Sequence, residues 1–247
     1  MAGWDEYLLA HSGLPGPRGN IELAQVVADE GSLENFEHYL SFTPERAPVN
    51  SPEEFLAFCG AVGLGRLLAE GHTQYLARLR ELASNPRWRM REGVAMALQR
   101  WGDVDMPALL DAMPDWSRGS WLEQRAAAAA LCEPRLLKRA EDARRVLALL
   151  DWITAAIESA QDRKNEDFKV LRQGMAYCWS VAVAALPAEG MQCMDLWLAS
   201  IDKDVRWILQ ENFKKNRLIR MNPSWVAECQ KRLEDHADSG AIFTVPF

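Results

Sequence analysis

The fold class is decided by residues 84–101, SNPRWRMREGVAMALQRW, because the same order of residue types returns in residues 201–217, IDKDVRWILQENFKKNR. Each stretch begins with a tight turn that holds Asn or Asp, continues with an apolar residue and then has arginine. In this alignment Arg89 falls on Arg206, 117 positions further along the chain. Such self-similarity indicates an internal repeat.

Two shorter stretches fill the interval between these copies. Residues 121–131, WLEQRAAAAAL, align with 88–98, and residues 172–179, RQGMAYCW, align with 91–98. Three intervals over 117 positions give a mean repeat of 39 residues, close to the helical-hairpin repeats of about 40–47 residues. A single hairpin cannot bury its apolar face, whereas stacked hairpins share a continuous core. We therefore predict an all-α fold, an α-solenoid whose stacked hairpins form a right-handed superhelix.

The spacing of apolar residues and the helix-capping signals predict the individual elements. Met90, Val94, Ala97 and Trp101 form one apolar stripe at helical spacing. The segment Ser51-Pro52-Glu53-Glu54 combines a capping serine, a first-turn proline and a carboxylate three residues past the cap. Asn20 and Ser32 are expected to cap earlier helices, and Asn222 a later one. The predicted helices and hairpins cover 21–30, 33–41, 54–71, 73–101, 106–132, 141–186, 190–217 and 223–237.

One domain is expected over residues 1–247. It has N-terminal helices and a loop in 1–50, hairpins in 51–237 and a C-terminal tail in 238–247. The apolar end of this tail, residues 241–247, is expected to dock on the final hairpins, because the terminal units of a solenoid have to be shielded from water.

At these residues the sequence resembles the HEAT-repeat family, whose second helix opens with an acidic turn, an apolar residue and arginine. Residues 202–206, DKDVR, follow this pattern, and residues 85–89, NPRWR, follow it with Asn in place of Asp. The run WRMRE at 88–92 is also similar to the HEAT-like alkylpurine DNA glycosylases. The resemblance covers about residues 73–220. It implies a helical-repeat fold and, more weakly, binding of DNA during alkylation repair.

Charge is distributed unevenly along the chain. The net charge is −7 at pH 7. Residues 1–83 hold 12 acidic and 5 basic residues, whereas residues 84–247 hold 23 of each. The acidic first third favours a protein or otherwise basic partner, and the neutral remainder has local basic clusters that suit phosphate.

Several classes of protein are disfavoured by composition and motifs. The sequence contains no run of about 18 apolar residues, so no membrane span is expected. The N-terminal residues lack the basic region of a signal peptide. A cytoplasmic location is therefore expected. The five cysteines are scattered without a CxxC pair, which predicts small core residues rather than disulfides or a zinc site. We expect neither a metal nor a cofactor, because phosphate-binding glycine motifs are absent as well.

Basic residues are the main candidates for binding. They are Arg89, Arg91 and Arg100 in the first copy of the repeat, and Arg206, Lys214, Lys215 and Arg217 in the last. Two interpretations of Arg89 and Arg206 stay open. Each arginine either contacts phosphate, or pairs with an acidic turn residue of a neighbouring hairpin.

The ten tryptophans offer a second kind of candidate, since indole rings can stack on bases or pack between hairpins. Trp179 is the candidate for a binding pocket. Trp88 and Trp121 occupy matched repeat positions and are predicted to be mostly buried. Asp115-Trp116 and Asp151-Trp152 place a carboxylate beside an aromatic ring, but adjacent helical residues point about 100° apart, so no catalytic residue is assigned.

Two functions remain open after this reasoning. The first is a non-catalytic scaffold that binds a protein partner on a concave surface. The alternative is a DNA-binding protein related to the HEAT-like alkylpurine DNA glycosylases, with basic residues on phosphates and a tryptophan on a base. If the protein has an enzymatic activity, the resemblance implies a DNA glycosylase.

Overall fold

The computed structural model describes residues 3–239, with the backbone alone for 236–239. This part of the chain forms 14 α-helices and one 3-10 turn at Thr73–Tyr75; it is 74% helical and contains no strand. The prediction of an all-α fold is confirmed, while the expected docking of residues 241–247 lies outside the described residues. The helices are α1 (Asp5–Ala10), α2 (Ile21–Glu30), α3 (Leu33–Leu40), α4 (Pro52–Ala69), α5 (Leu76–Ala83), α6 (Trp88–Val104), α7 (Met106–Ser117), α8 (Trp121–Leu131), α9 (Ala140–Glu158), α10 (Glu166–Ala185), α11 (Pro187–Trp197), α12 (Lys203–Phe213), α13 (Asn216–Met221) and α14 (Pro223–Ser239).

The chain divides into two compact units, of which the first ends at Ala112 and the second begins at Met113. In the first unit α4 is the central helix and contacts α1, α2, α3 and α6. Its sequence is apolar on every side, and glycine lets α6 approach closely. A Cβ on Gly65 would stand 2.5 Å from the backbone of Ala97. The helix predicted over 54–71 is therefore present, and most of its residues are buried.

The predicted helix caps are present in the structure. The side chains of Asn20 and Ser51 accept hydrogen bonds from the backbone N–H groups of Leu23 and Glu54, respectively. Ser32 forms a reciprocal capping box with Asn35. Local signals were sufficient here because a cap needs only residues within one turn of helix.

In the second unit α10 is the central helix and packs against α8, α9, α11, α12 and α13. A buried amide links α10 to α12. The Asn212 side-chain oxygen accepts from the Ser180 N–H at 2.8 Å, and its nitrogen donates to the Met175 carbonyl at 2.9 Å. Asn212 is fully buried, so this amide is held in one position relative to α10.

One of the two tryptophan predictions is wrong. Trp121 is mostly buried and meets the Phe168 ring edge-on at 5.5 Å between ring centroids. Trp88, however, is 44% exposed. The next residue, Arg89, turns inward to Glu54 of α4 and occupies the buried position. The indole is therefore left at the surface, stacked against the Arg89 guanidinium at 4.4 Å.

The five cysteines are free thiols. Cys59, Cys132, Cys178 and Cys229 are buried, as the sequence predicts for small core residues, whereas Cys193 is partly exposed.

Candidate binding surfaces

Arg89 lies inside the first unit. Its Nη1 is 3.1 Å from the Glu54 carboxylate, and its Nη2 donates to the Gly16 carbonyl at 2.7 Å and to the Asn50 side chain at 3.2 Å. Glu54 has no exposed surface and Arg89 has 6%. This geometry corresponds to the interpretation in which the arginine pairs with an acid of a neighbouring element.

The other two arginines of this unit that were predicted to bind a ligand also form hydrogen bonds within the protein. Arg100 of α6 donates to the Gln25 amide oxygen at 2.5 Å and forms an ion pair with Asp29. Burial lowers the pKa of Arg100 below its ordinary value, although Asp103 acts in the opposite direction. Arg91 donates to the carbonyls of Asn85 and Pro86 at 2.8 and 3.0 Å.

The basic residues of the second unit are nearer to the surface. Arg206 donates to the Leu233 carbonyl of α14. Lys214 is exposed, and its Nζ lies 2.6 Å from the carboxylate of Glu211, three residues earlier in the chain. Lys215 is partly exposed at the start of α13. Only some of the predicted basic residues are therefore available to a ligand.

Trp179 takes no part in a surface pocket. Its side chain has no exposed area, and its Nε1 donates to the Thr154 hydroxyl at 3.0 Å. The prediction that Trp179 belongs to a binding surface is therefore corrected, because a ring enclosed by the core on all sides presents no face to a ligand.

Arg172 is a basic residue that the sequence reasoning missed. Its guanidinium lies 3.7 Å from the ring centroid of Trp207, and its Nε is 2.8 Å from Asp204. Arg163 reaches Asp204 and Asp202 from the other side, at 2.7 Å each. Arg172 aligns with the candidate Arg91 in the sequence, and this alignment is the signal that could have identified Arg172 as a candidate.

A second arginine stacks on an aromatic ring beside it. The Arg217 guanidinium lies 4.6 Å from the ring centroid of Tyr177, which is 42% exposed, and it donates to the Tyr177 hydroxyl. Gly174 of α10 faces Arg125 of α8, since a Cβ there would stand 3.3 Å from Arg125 Cγ. We give the name basic-aromatic face to these side chains of α8, α10, α12 and α13, with Lys214 between the last two: Arg125, Arg172, Tyr177, Trp207, Lys214 and Arg217.

An apolar groove lies between α1 and α2 in the first unit. It encloses about 360 Å³ and is called the α1–α2 groove. Three of its apolar side chains are well exposed: Trp4 by 38%, Tyr7 by 56% and Val26 by 55%. Its lining residues are Gly3, Trp4, Tyr7, Leu8, Leu23, Val26, Val27 and Glu30.

The N-terminal segment that contains the α1–α2 groove is rich in acidic residues. Residues 1–40 hold seven Asp and Glu side chains against a single arginine, Arg18. Three of the acids are paired, namely Asp5 with His38, Glu22 with Arg18 and Asp29 with Arg100. Glu30 lines the groove itself and is exposed.

A second cleft in the same unit contains the exposed Trp88. It encloses about 550 Å³, with Pro15, Pro17 and Val49 as apolar walls and Arg89 as part of its floor. The Arg89 donors at this floor are directed to Glu54, Gly16 and Asn50. The cleft is therefore a surface hollow above an internal ion pair.

Within the described residues, 3–239, no group of three or more His, Cys, Asp or Glu side chains is arranged to hold a metal ion. None of the helices described is long and apolar enough to cross a membrane. No protein-family model, curated protein or solved structure matches this chain.

Proposed function

We propose that the protein is a non-catalytic scaffold of the HEAT-like α-solenoid class that binds a protein partner. The single observation that carries this proposal is the α1–α2 groove. There Trp4, Tyr7 and Val26 are exposed around a hollow whose floor includes the buried Leu8 and Val27. Contiguous exposed apolar side chains rimmed by polar ones are typical of protein-binding surfaces, and large aromatic residues are enriched at their energetic centres.

A peptide-display selection on the immobilised full chain tests this function. We expect enriched peptides that bind in solution and lose affinity when Tyr7 is replaced by Ala. The control Tyr75→Ala removes the same side chain at a partly exposed position of the same unit, outside the groove. Failure to enrich any peptide above an unrelated immobilised protein would contradict the proposal. Peptides whose affinity does not depend on Tyr7 would support protein binding but place the binding site outside the α1–α2 groove.

Binding of duplex DNA is the second candidate, and the basic-aromatic face is the observation that favours it. Arg172 and Arg217 are each held against an aromatic ring, and Lys214 is exposed nearby in the chain. Guanidinium groups fixed beside aromatic rings suit phosphate and base contacts. Relation to the HEAT-like glycosylases would place such contacts in alkylation repair.

A salt titration separates the two candidates. Replacing Lys214, Lys215 and Arg217 with Ala should flatten the plot of log affinity against log salt by about 0.9 for each phosphate that the variant no longer neutralises, up to roughly 3 in total. The matched control replaces Arg18, Arg46 and Arg78, which are exposed arginines of the first unit. Plain and alkylated duplexes are both titrated. Absence of binding by the parent at about 50 mM salt would remove the DNA candidate.

A further inference from the structure

We propose that the α1–α2 groove binds an amphipathic α-helix whose polar face is positively charged. This inference rests on the proposed function and names the class of partner. It is carried by three features of the groove: two helical walls, exposed aromatic and aliphatic side chains, and the exposed carboxylate of Glu30 in an acidic segment of the chain.

The helical walls favour a helical ligand. Both walls, α1 and α2, are helices, so the groove offers no strand edge with which an extended peptide could pair. A ligand that enters an apolar groove loses water from its backbone, and an α-helix keeps its N–H and C=O groups satisfied when that happens. A helix is therefore the ligand conformation that costs least in this groove.

The apolar side chains of the groove determine which positions of a bound helix should be apolar. Trp4, at the N-terminal end of α1, and Tyr7 are three residues apart, and on α2 Val26 and Val27 follow Leu23 at three and four residues. Two ridges with this spacing leave a furrow that takes apolar side chains at positions i, i+3 or i+4, and i+7 of a helix. Each apolar ligand residue that becomes buried contributes favourably to affinity.

The surrounding charge selects the polar face of the ligand. Within residues 1–40 the excess of acids over Lys and Arg is six, and Glu30 reaches the groove. Because Glu30 lines the groove, its carboxylate is close enough to a bound helix to act on it without full screening at physiological salt. Lys or Arg along the rim is therefore favoured, and Asp or Glu there is disfavoured.

The test uses three synthetic peptides of equal length and the full chain. One places Leu on one face and Lys on the other, the second replaces Lys by Glu, and the third replaces Leu by Ser. We expect the Leu/Lys peptide alone to bind in calorimetry. Tyr7→Ala should weaken it about tenfold or more, as loss of an interface aromatic does, and Glu30→Lys should weaken it most at low salt.

Matched controls are available in the same unit. Val26→Ser removes a groove residue, whereas Val49→Ser removes a valine that is equally exposed, 55% in each case, but lies outside the groove. Glu34→Lys reverses an exposed acid that does not line the groove, as the counterpart of Glu30→Lys. Each variant is first shown to melt at the parent temperature, because these side chains are on the surface.

The outcomes separate the inference from the function on which it rests. Equal binding of the Leu/Glu peptide would overturn the charge requirement, and binding of the Ser/Lys peptide would show charge attraction without a groove. Binding of Leu/Lys that ignores Tyr7 and Val26 would overturn the site. If none of the three peptides binds while display selection still yields Tyr7-dependent peptides, the partner class is wrong and the scaffold function stands.

Discussion

Arg89 and Arg206 align with each other in the sequence, yet their side chains have different partners. Arg89 pairs with a carboxylate, Glu54, which is 35 residues away in the sequence, while Arg206 donates to a backbone carbonyl. The sequence leaves two roles open for each arginine, phosphate contact or internal pairing. It could not choose the partner, because the choice depends on how α4 and α6 are registered against each other.

Removal of Arg89 is predicted to be costly. Arg89→Ala leaves the buried Glu54 carboxylate without its cation, and such a loss typically destabilises a protein by about 3–5 kcal/mol. Arg78→Ala is the control, because its pair with Glu81 is exposed and contributes about 1 kcal/mol or less. Urea denaturation measures both. Replacing the pair together, Arg89→Met with Glu54→Leu, should recover much of the loss. Equal effects of the two single Ala variants would contradict the prediction.

Asp202 is predicted to make stability depend on pH. Burial alone would raise the pKa of Asp202, but hydrogen bonds from Arg163 and from the backbone of Val205 and Asp204 together lower it below its ordinary value. A lowered pKa in the folded state means that the carboxylate stabilises the fold above the unfolded-state pKa of about 4. That contribution is lost as pH falls through the folded-state pKa.

The variant Asp202→Asn isolates this charge. Asn is as good a helix cap as Asp, so the cap of α12 is kept while the charge is removed. We expect the variant to be less stable than the parent at pH 7, and the difference to shrink as pH approaches about 3. Urea denaturation at several pH values measures it. A difference that stays constant over this range would assign the effect to the cap instead.

At the scale of elements, the positions of helices were easier to predict from the sequence than the partners of single side chains. Each helix start that was assigned from a capping residue is present, because a cap is a local feature. Trp88 shows the limit of this approach. Apolar spacing predicts which side of α6 is buried, but not that the first turn directs Arg89 inward and leaves the indole outside. The groove between α1 and α2 was missed because it depends on tertiary packing.

The link between α10 and α12 is predicted to depend on Asn212. Asn212→Ala removes the acceptor for the Ser180 N–H and the donor to Met175 in the buried interior of the second unit. Each buried polar group left without a partner costs about 1–3 kcal/mol. Asn216→Ala, at an exposed position of α13, is the control and should change stability by about 0.5 kcal/mol or less. Similar urea midpoints for the two variants would argue against the link.

For the whole molecule, the uneven charge predicts where the protein is least soluble. The net charge of −7 at pH 7 vanishes near the isoelectric point of about 5.2, and neutral proteins associate more readily. Leu196 and Ile201 are 76% and 91% exposed, and they offer apolar contacts once repulsion is gone. Light scattering should peak near that pH. Replacing both residues by Ser should lower the peak, and an unchanged peak would exclude these two side chains as its cause.

The distribution of thiols gives the molecule internal reporters of local opening. Burial raises the pKa of Cys59, Cys132 and Cys229, the last to about 12, so reactive thiolate is scarce in the closed state. An alkylating reagent therefore reaches Cys59 only when the first unit opens. It reaches Cys132, Cys178 and Cys229 only when the second unit opens, whereas the partly exposed Cys193 needs no such event. The rates of modification at these positions thus measure separately the free energy of opening in each half of the chain.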